Sequence, residues 1–245
     1  MQNITEQRIN LAALHRLIYK YGWSDLILTH ISSRTSQEQY LMAPLGLPFN
    51  HVNASSLSLM LFGGLPANEN SQPVNPAGSV LHEAIYRARS DIGCVIHTHT
   101  TSGVAVSMLE DGLKCADQMS LMFHKKISYH PFSGISVDME EQKSIIANLG
   151  DAACLILENH GLIATGQTIE EAFWNYYYLE KACEIQLKLL PAQAQLIEID
   201  QRIKQKTQQQ HEEFNTKKSL IQGIPNNAQL AFNAAVMDLP DDYRA

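Results

Sequence analysis

Two histidines separated by one residue, His97 and His99, close an apolar run that begins at Cys94. On a strand, side chains alternate between faces, so residues two apart point the same way and both imidazoles can address one metal ion. A third histidine, His160, ends a second apolar run and is followed at once by Gly161. Three neutral imidazoles with an open fourth position make a catalytic zinc site, and iron, manganese or cobalt accept the same ligands. The competing reading is a set of strand-end histidines with no metal, against which the third histidine weighs. A site of this kind polarises a carbonyl or stabilises an enediolate, and it needs a proton donor and acceptor nearby. Glu158, Glu83 and Tyr129 are candidates; spacing does not choose among them, because they lie on separate segments. Thr29, His30 and Ser32 edge another apolar segment, where they either bind a substrate oxyanion or satisfy their own backbone. His82, on a core-facing helix, reads first as a structural histidine.

The elements that must position these residues follow from periodicity. Thr5 to Tyr21 has helical apolar spacing, with Gly22 as a stop. Trp23 to Arg34 reads as a strand or extended loop, with Leu26 and Leu28 alternating against Ile27, Thr29 and Ile31. Gln39 to Ala43 and Leu57 to Phe62 read as strands, and 69–76 as a loop. Asn75 and Pro76 are an N-cap and a first helical residue, opening a helix whose buried face is Val80, Leu81, Ala84, Ile85 and Ala88. Asp91 to Thr100 is the first histidine strand, followed by a short helix over 102–109. A short strand falls within 121–129. Asp138 and Glu141 form a capping pair for a helix ending near Gly150. Strands at 153–157 and 162–165 flank the Asn159-His160-Gly161 turn. Thr168 and Glu171 box the start of a long helix closed by Pro191. Beyond Ala192, glutamine, lysine and glutamate dominate to Ser219, as in a solvated helical arm, and 223–245 reads as an irregular tail. The organisation expected is a domain over 1–191 and a C-terminal arm over 192–245, packed on the domain or on a neighbouring subunit.

A chain of 245 residues can bury a full core. Its net charge of −7 argues against a nucleic-acid partner. No apolar run reaches the roughly 18 residues of a membrane span, and no signal peptide opens the chain. Cys94, Cys115, Cys154 and Cys183 lack any paired spacing, which predicts reduced thiols and a cytoplasmic setting.

Across roughly residues 8 to 190 the chain resembles the class II aldolase/adducin family, and most closely a bacterial class 2 aldolase subgroup. The resemblance rests on Ala88-Arg89-Ser90-Asp91 leading into Val95-Ile96-His97-Thr98-His99, and on Glu158-Asn159-His160-Gly161-Leu162-Ile163. Tyr21 to Leu26, Thr29 to Arg34, Val74 to Gly78 and Tyr129 to Phe132 support it. It implies a three-layer α/β/α sandwich around a mixed, largely antiparallel sheet, and a homotetramer with sites between subunits. It further implies zinc on His97, His99 and His160, and carbon–carbon cleavage through an enediolate on that zinc. The family's catalytic tyrosine comes from an adjacent subunit and matches Tyr129.

Three family elements are altered. A Ser-Ser-Glu run, whose glutamate is acid/base and metal ligand, is Pro76-Ala77-Gly78 here. A Gly-Asn phosphate pair falls at Thr29-His30, and a Ser-Gly pair at Leu45-Gly46. These changes weigh against a phosphorylated sugar. The expectation is a metal-dependent lyase for a small carbonyl or sugar-acid-like substrate. Its alternatives are dehydration, epimerisation, decarboxylation or iron–oxygen chemistry on the same scaffold, or a non-catalytic adducin-like binding module.

Overall fold

The computed structural model of the chain describes residues 3–134, 139–192, 195–216 and 225–245. Helix α1 (Ile4–Lys20) starts at Asn3, whose side chain accepts from the Thr5 N–H. Strands β1 (His30–Arg34), β2 (Gln39–Met42), β3 (Ser58–Leu61) and β4 (Leu65–Pro66) follow. Helix α2 (Pro76–Ala88) has Asn75 as N-cap, accepting from the N–H groups of Ala77 and Gly78, with proline at its first position. Then come β5 (Cys94–Thr98), α3 (Thr101–Ser107), β6 (Ile127–His130), α4 (Met139–Leu149), β7 (Cys154–Leu157) and β8 (Gly161–Gly166). Thr168 caps α5 (Ile169–Leu189) by accepting from the Glu171 N–H. Helices α6 (Gln201–Thr216) and α7 (Asn227–Val236) complete the order.

All eight strands form one sheet, β4-β3-β2-β1-β5-β8-β7-β6. β6 and β7 run parallel and the other neighbours antiparallel. The central strands are apolar on both faces because helices cover both. On one face Ile31, Ile96, Ile156 and Leu162 join residues of α1, α5 and α7 in the larger core. On the other, Val95, Leu155, Leu157 and Ile163 pack with Ile85 and Tyr86 of α2 and Ile145 and Leu149 of α4. This is the three-layer sandwich with a mixed, largely antiparallel sheet.

Several local expectations change. The stretch before β1 is not extended: Leu26 has φ 45°, and Leu26, Ile27 and Leu28 are exposed in a turn, so the strand begins only at His30. The buried face of α2 is Gly78, Ser79, His82, Glu83, Ala84, Ile85 and Tyr86, while Ala88 is exposed. A count of apolar residues misplaces that face because its polar groups are hydrogen-bonded and therefore buried at little cost. Of the stretch 121–129, its first three residues belong to a 3-10 turn over Ser120–Phe123, and the strand starts at Ile127. The end of the chain is no irregular tail: α7 sets Ala228 and Phe232 into the core, and Tyr243 is buried with its carbonyl accepting from the Ala54 N–H. The capping pair expected at the start of α4 involves Asp138, which lies outside the described residues, as does Gly223. Among the described residues, no helix is long and apolar enough to cross a membrane.

Candidate metal centre

β5 and β8 pair with Thr98 opposite Leu162 and His97 opposite Ile163, which carries the β7–β8 turn to the end of β5. Within that turn Asn159 takes φ 56°, a left-handed conformation that asparagine tolerates. A Cβ on Gly161 would stand 2.3 Å from the Thr98 carbonyl oxygen and 3.2 Å from the His99 ring. Only a glycine lets the two segments approach this closely. The result is a triad: His99 Nε2 lies 2.8 Å from His97 Nε2 and 3.0 Å from His160 Nε2.

The outer nitrogens are committed elsewhere. His97 Nδ1 donates to the Leu162 carbonyl at 3.0 Å, and His99 Nδ1 donates to the Asp25 carboxylate at 3.2 Å. A neutral ring donating from Nδ1 carries its lone pair at Nε2, so the lone pairs of His97 and His99 converge toward His160. Burial, then the neighbouring histidines, holds His97 well below the ordinary imidazole range. Burial, then His99, lowers His160 to about 4. A proton is therefore a poor cation for this convergence near neutral pH. A divalent ion fits it, and the carboxylate and carbonyl behind two of the rings are what ligating histidines ordinarily have. Among the described residues this is the group of histidine, cysteine or carboxylate side chains whose ligand atoms come within 4.8 Å of one another.

The triad opens on a cleft of about 340 Å³ whose lining includes His30, Ala77, Val80, Leu81, Pro131, Phe132, Leu157 and Glu158. The structure thus brings His97, His99, His160, His30, Ala77 and Glu158 together, with Gly78 directly behind the His30 ring. It does not bring Glu83 there. That carboxylate accepts from the N–H groups of Gly63 and Gly64, the Tyr40 hydroxyl and the Ser79 hydroxyl, and so ties the β3–β4 turn to α2. Tyr129 points to the opposite face of the sheet, where its hydroxyl accepts from the Leu113 N–H at 2.9 Å; it does not reach the triad of its own chain. Thr29 accepts from the Asp25 N–H at 2.8 Å, which places it behind the carboxylate that orients His99. Ser32 is fully buried one layer behind the cleft, hydrogen-bonded to His82 and Tyr86. Gly46, with φ +85°, sits in a turn beside a separate small cavity that His30 and Thr29 also line.

Sequence reasoning assigned no role to Asp25, to Tyr86 or to His130, which lines the cleft with its Nδ1 at 2.8 Å from the Asn148 side-chain amide. The contacts of Asp25 and Tyr86 span tens of positions, and no short-range spacing signals them. For His130, the histidine before Pro131 at the end of β6 was a usable signal.

Residues 9–187 match the family described as Class II Aldolase and Adducin N-terminal domain. Alpha-adducin of Rattus norvegicus is 43% identical over 188 residues, which is 75% of this chain and 25% of alpha-adducin. A crystal structure of an aldolase II superfamily protein from Pseudomonas syringae superposes with a TM-score of 0.90 at 34% identity, covering 100% of this chain and 97% of that one. The L-fuculose 1-phosphate aldolase of Glaciozyma antarctica superposes with a TM-score of 0.83 at 26% identity, covering 100% and 96%.

Proposed function

The chain belongs to the class II aldolase and adducin family, and from that premise we propose that it is a metal-dependent lyase. It would make or break a carbon–carbon bond beside the carbonyl of a small oxygenated substrate. The observation that carries this reading is the convergence of three imidazole Nε2 atoms, two of them on rings whose partners at Nδ1 leave the inward lone pairs free. His97, His99 and His160 would hold the ion, zinc first among candidates, with iron, manganese or cobalt compatible with the same ligands. When bound, such an ion supplies Lewis acidity that stabilises negative charge on a substrate oxygen. The chain's own residues do the rest. Val80, Leu81, Phe132 and Leu157 shape an apolar wall beside which a substrate's charges would be less well solvated and their interactions stronger. Glu158 is the carboxylate on the cleft wall and serves as the proton carrier of this reading.

Among the described residues that line the cleft there is no lysine or arginine. The neutral phosphate-binding runs that the resemblance implies are replaced by Thr29-His30, Leu45-Gly46 and Pro76-Ala77, so the substrate we propose is an unphosphorylated carbonyl or sugar-acid-like compound. Exposed Leu28 and Phe132 on the cleft, with exposed Leu26 and Ile27 adjoining Leu28 in the chain, present apolar surface that supports assembly, and in the homotetramer we propose Tyr129 would serve a neighbouring site. The free cysteines fit a reducing, cytoplasmic setting.

Metal analysis of protein purified without added metal tests the reading, with about one equivalent per chain expected and lost in His97→Ala. Substoichiometric metal unchanged by that substitution would sink it. The next step is turnover of a panel of aldols and sugar acids by fully loaded protein, where absence of any cleavage rejects the lyase. A different metal-dependent reaction on this scaffold is favoured by the missing carboxylate at Gly78, and iron in place of zinc would point to it. The 43% identity to alpha-adducin favours a binding module instead, which the loss of all metal dependence would select.

A further inference from the structure

A Cβ built on Gly78 would lie 2.7 Å from Cγ of His30 and 2.9 Å from its Cδ2 and Nδ1. The His30 ring therefore occupies the volume that any side chain at position 78 would enter. From there it faces the metal-binding triad, with its centroid 4.7 Å from that of His97. Behind it runs a buried chain of hydrogen bonds. His30 Nδ1 lies 2.9 Å from His82 Nε2, His82 Nδ1 lies 2.6 Å from Ser32 Oγ, and Ser32 Oγ lies 2.7 Å from the Tyr86 hydroxyl. Ser32 and His82 are wholly buried and Tyr86 is 2% exposed.

Each link can run in either sense, and the phenol decides between them. Burial holds the Tyr86 hydroxyl well above its ordinary range, so its proton stays on. Among the described residues that hydroxyl has one hydrogen-bond partner, Ser32. If Ser32 donated to Tyr86, the phenol proton would be left buried without an acceptor, which is the expensive outcome. If Tyr86 donates, Ser32 donates in turn to His82 Nδ1, and His82 donates from Nε2 to His30 Nδ1. Every proton along the chain as far as His30 Nδ1 then has an acceptor, and His30, which lines the cleft, keeps its own proton on Nε2 for a group bound there.

We infer that His30 presents a fixed, uncharged Nε2–H donor to a substrate oxygen held beside the triad, with Tyr86, Ser32 and His82 as positioning residues that set its tautomer. No change of protonation is required, because the donor acts by meeting charge as it develops. The inference rests on the proposed lyase reading for its substrate. It also deepens that reading. Where a glutamate at 78 would present an anionic acceptor, this chain presents a donor, so the substrate must offer an acceptor oxygen, carbonyl or carboxylate, at that point.

The test is a two-bond proton–nitrogen correlation on protein labelled with ¹⁵N-histidine, recorded metal-free and zinc-loaded, with His30→Gln identifying the His30 signals. We expect His30 protonated at Nε2 and bare at Nδ1 in the wild type. A shift toward the Nδ1–H tautomer is expected in Tyr86→Phe and in Ser32→Ala, either of which suffices if the other misfolds. A wild-type Nδ1–H tautomer, or Nε2–H retained unchanged in the folded variants, overturns the proposal. A second arm measures oxalate, an acceptor-only chelator, on zinc-loaded protein. His30→Phe should weaken it about tenfold, as loss of one hydrogen bond does, whereas His30→Gln, which keeps an N–H, should recover most of the affinity. Equal oxalate affinity in His30→Phe and wild type overturns the donor role. The tautomer is read on metal-free protein without turnover, so an enzyme that cleaves no aldol would fail the lyase reading and leave this one standing.

Discussion

A single methyl added at position 78 would sit 2.7 Å from the His30 ring, closer than side-chain atoms pack. Gly78→Ala should therefore cost about 1–3 kcal/mol, the usual range for overpacking, read as a lower midpoint in urea unfolding. In the double variant with His30→Ala the clash is gone, so the two costs should fall well short of additive. Asp25 is a second residue whose effect is indirect. It touches His99 rather than an ion, and Asp25→Asn should lower zinc affinity about 10- to 100-fold, measured by competition with a chelator. At this scale the sequence was uneven. The meeting of His97, His99 and His160 could be anticipated from it because two lie two residues apart at the end of a strand and the third precedes a glycine in the next turn. Asp25, Ser32, His82 and Tyr86 owe their roles to contacts across 50 or more positions, which no local pattern encodes.

The β7–β8 turn shows what an element contributes. Its Gly161 meets the Thr98 backbone, and backbone cannot swing aside as a side-chain end can. Gly161→Ala should push β8 off β5, opening the distance from His99 to His160, so that metal retention falls together with thermal stability. Retention of full metal content in that variant would show that the turn does not set the triad. Most elements were legible because their residues act locally, as in Asn75 and Thr168 capping α2 and α5. The buried face of α2 was not, since hydrophobic periodicity counts apolar residues and this helix buries His82 and Glu83 in satisfied hydrogen bonds. The C-terminal helix had a readable signal in Asn226, Ala228 and Phe232, an N-cap followed by residues four apart. Its low-polarity neighbours and short length hid it.

Across the whole molecule, buried neutral histidines tie stability to acidity. Burial lowers His15 to about 4 and His82 to about 3. A histidine depressed in the folded state takes up protons more readily when unfolded. Its contribution is therefore complete above about pH 6.5 and is lost as pH falls toward the folded value, on the order of 3 kcal/mol per ring over the full window. Glu171 and Glu180, raised by burial, act in the opposite sense and make the slope shallower. Metal-free protein should melt at steadily lower temperature from pH 7 to 5, and His15→Gln should flatten that slope. An unchanged slope in the variant would remove His15 from the account. The sandwich itself was legible at this scale only through resemblance, because strand order depends on pairings that periodicity does not specify. That order has a further consequence. The three clustered rings are supplied by the end of β5 and by the turn that delivers β8, whereas His30 and the space at Gly78 belong to β1 and α2. Neither position 30 nor position 78 takes part in the β5–β8 pairing. On the metal-dependent reading proposed above, the scaffold is modular, with one half that would hold the ion and a second half that would set the chemistry beside it.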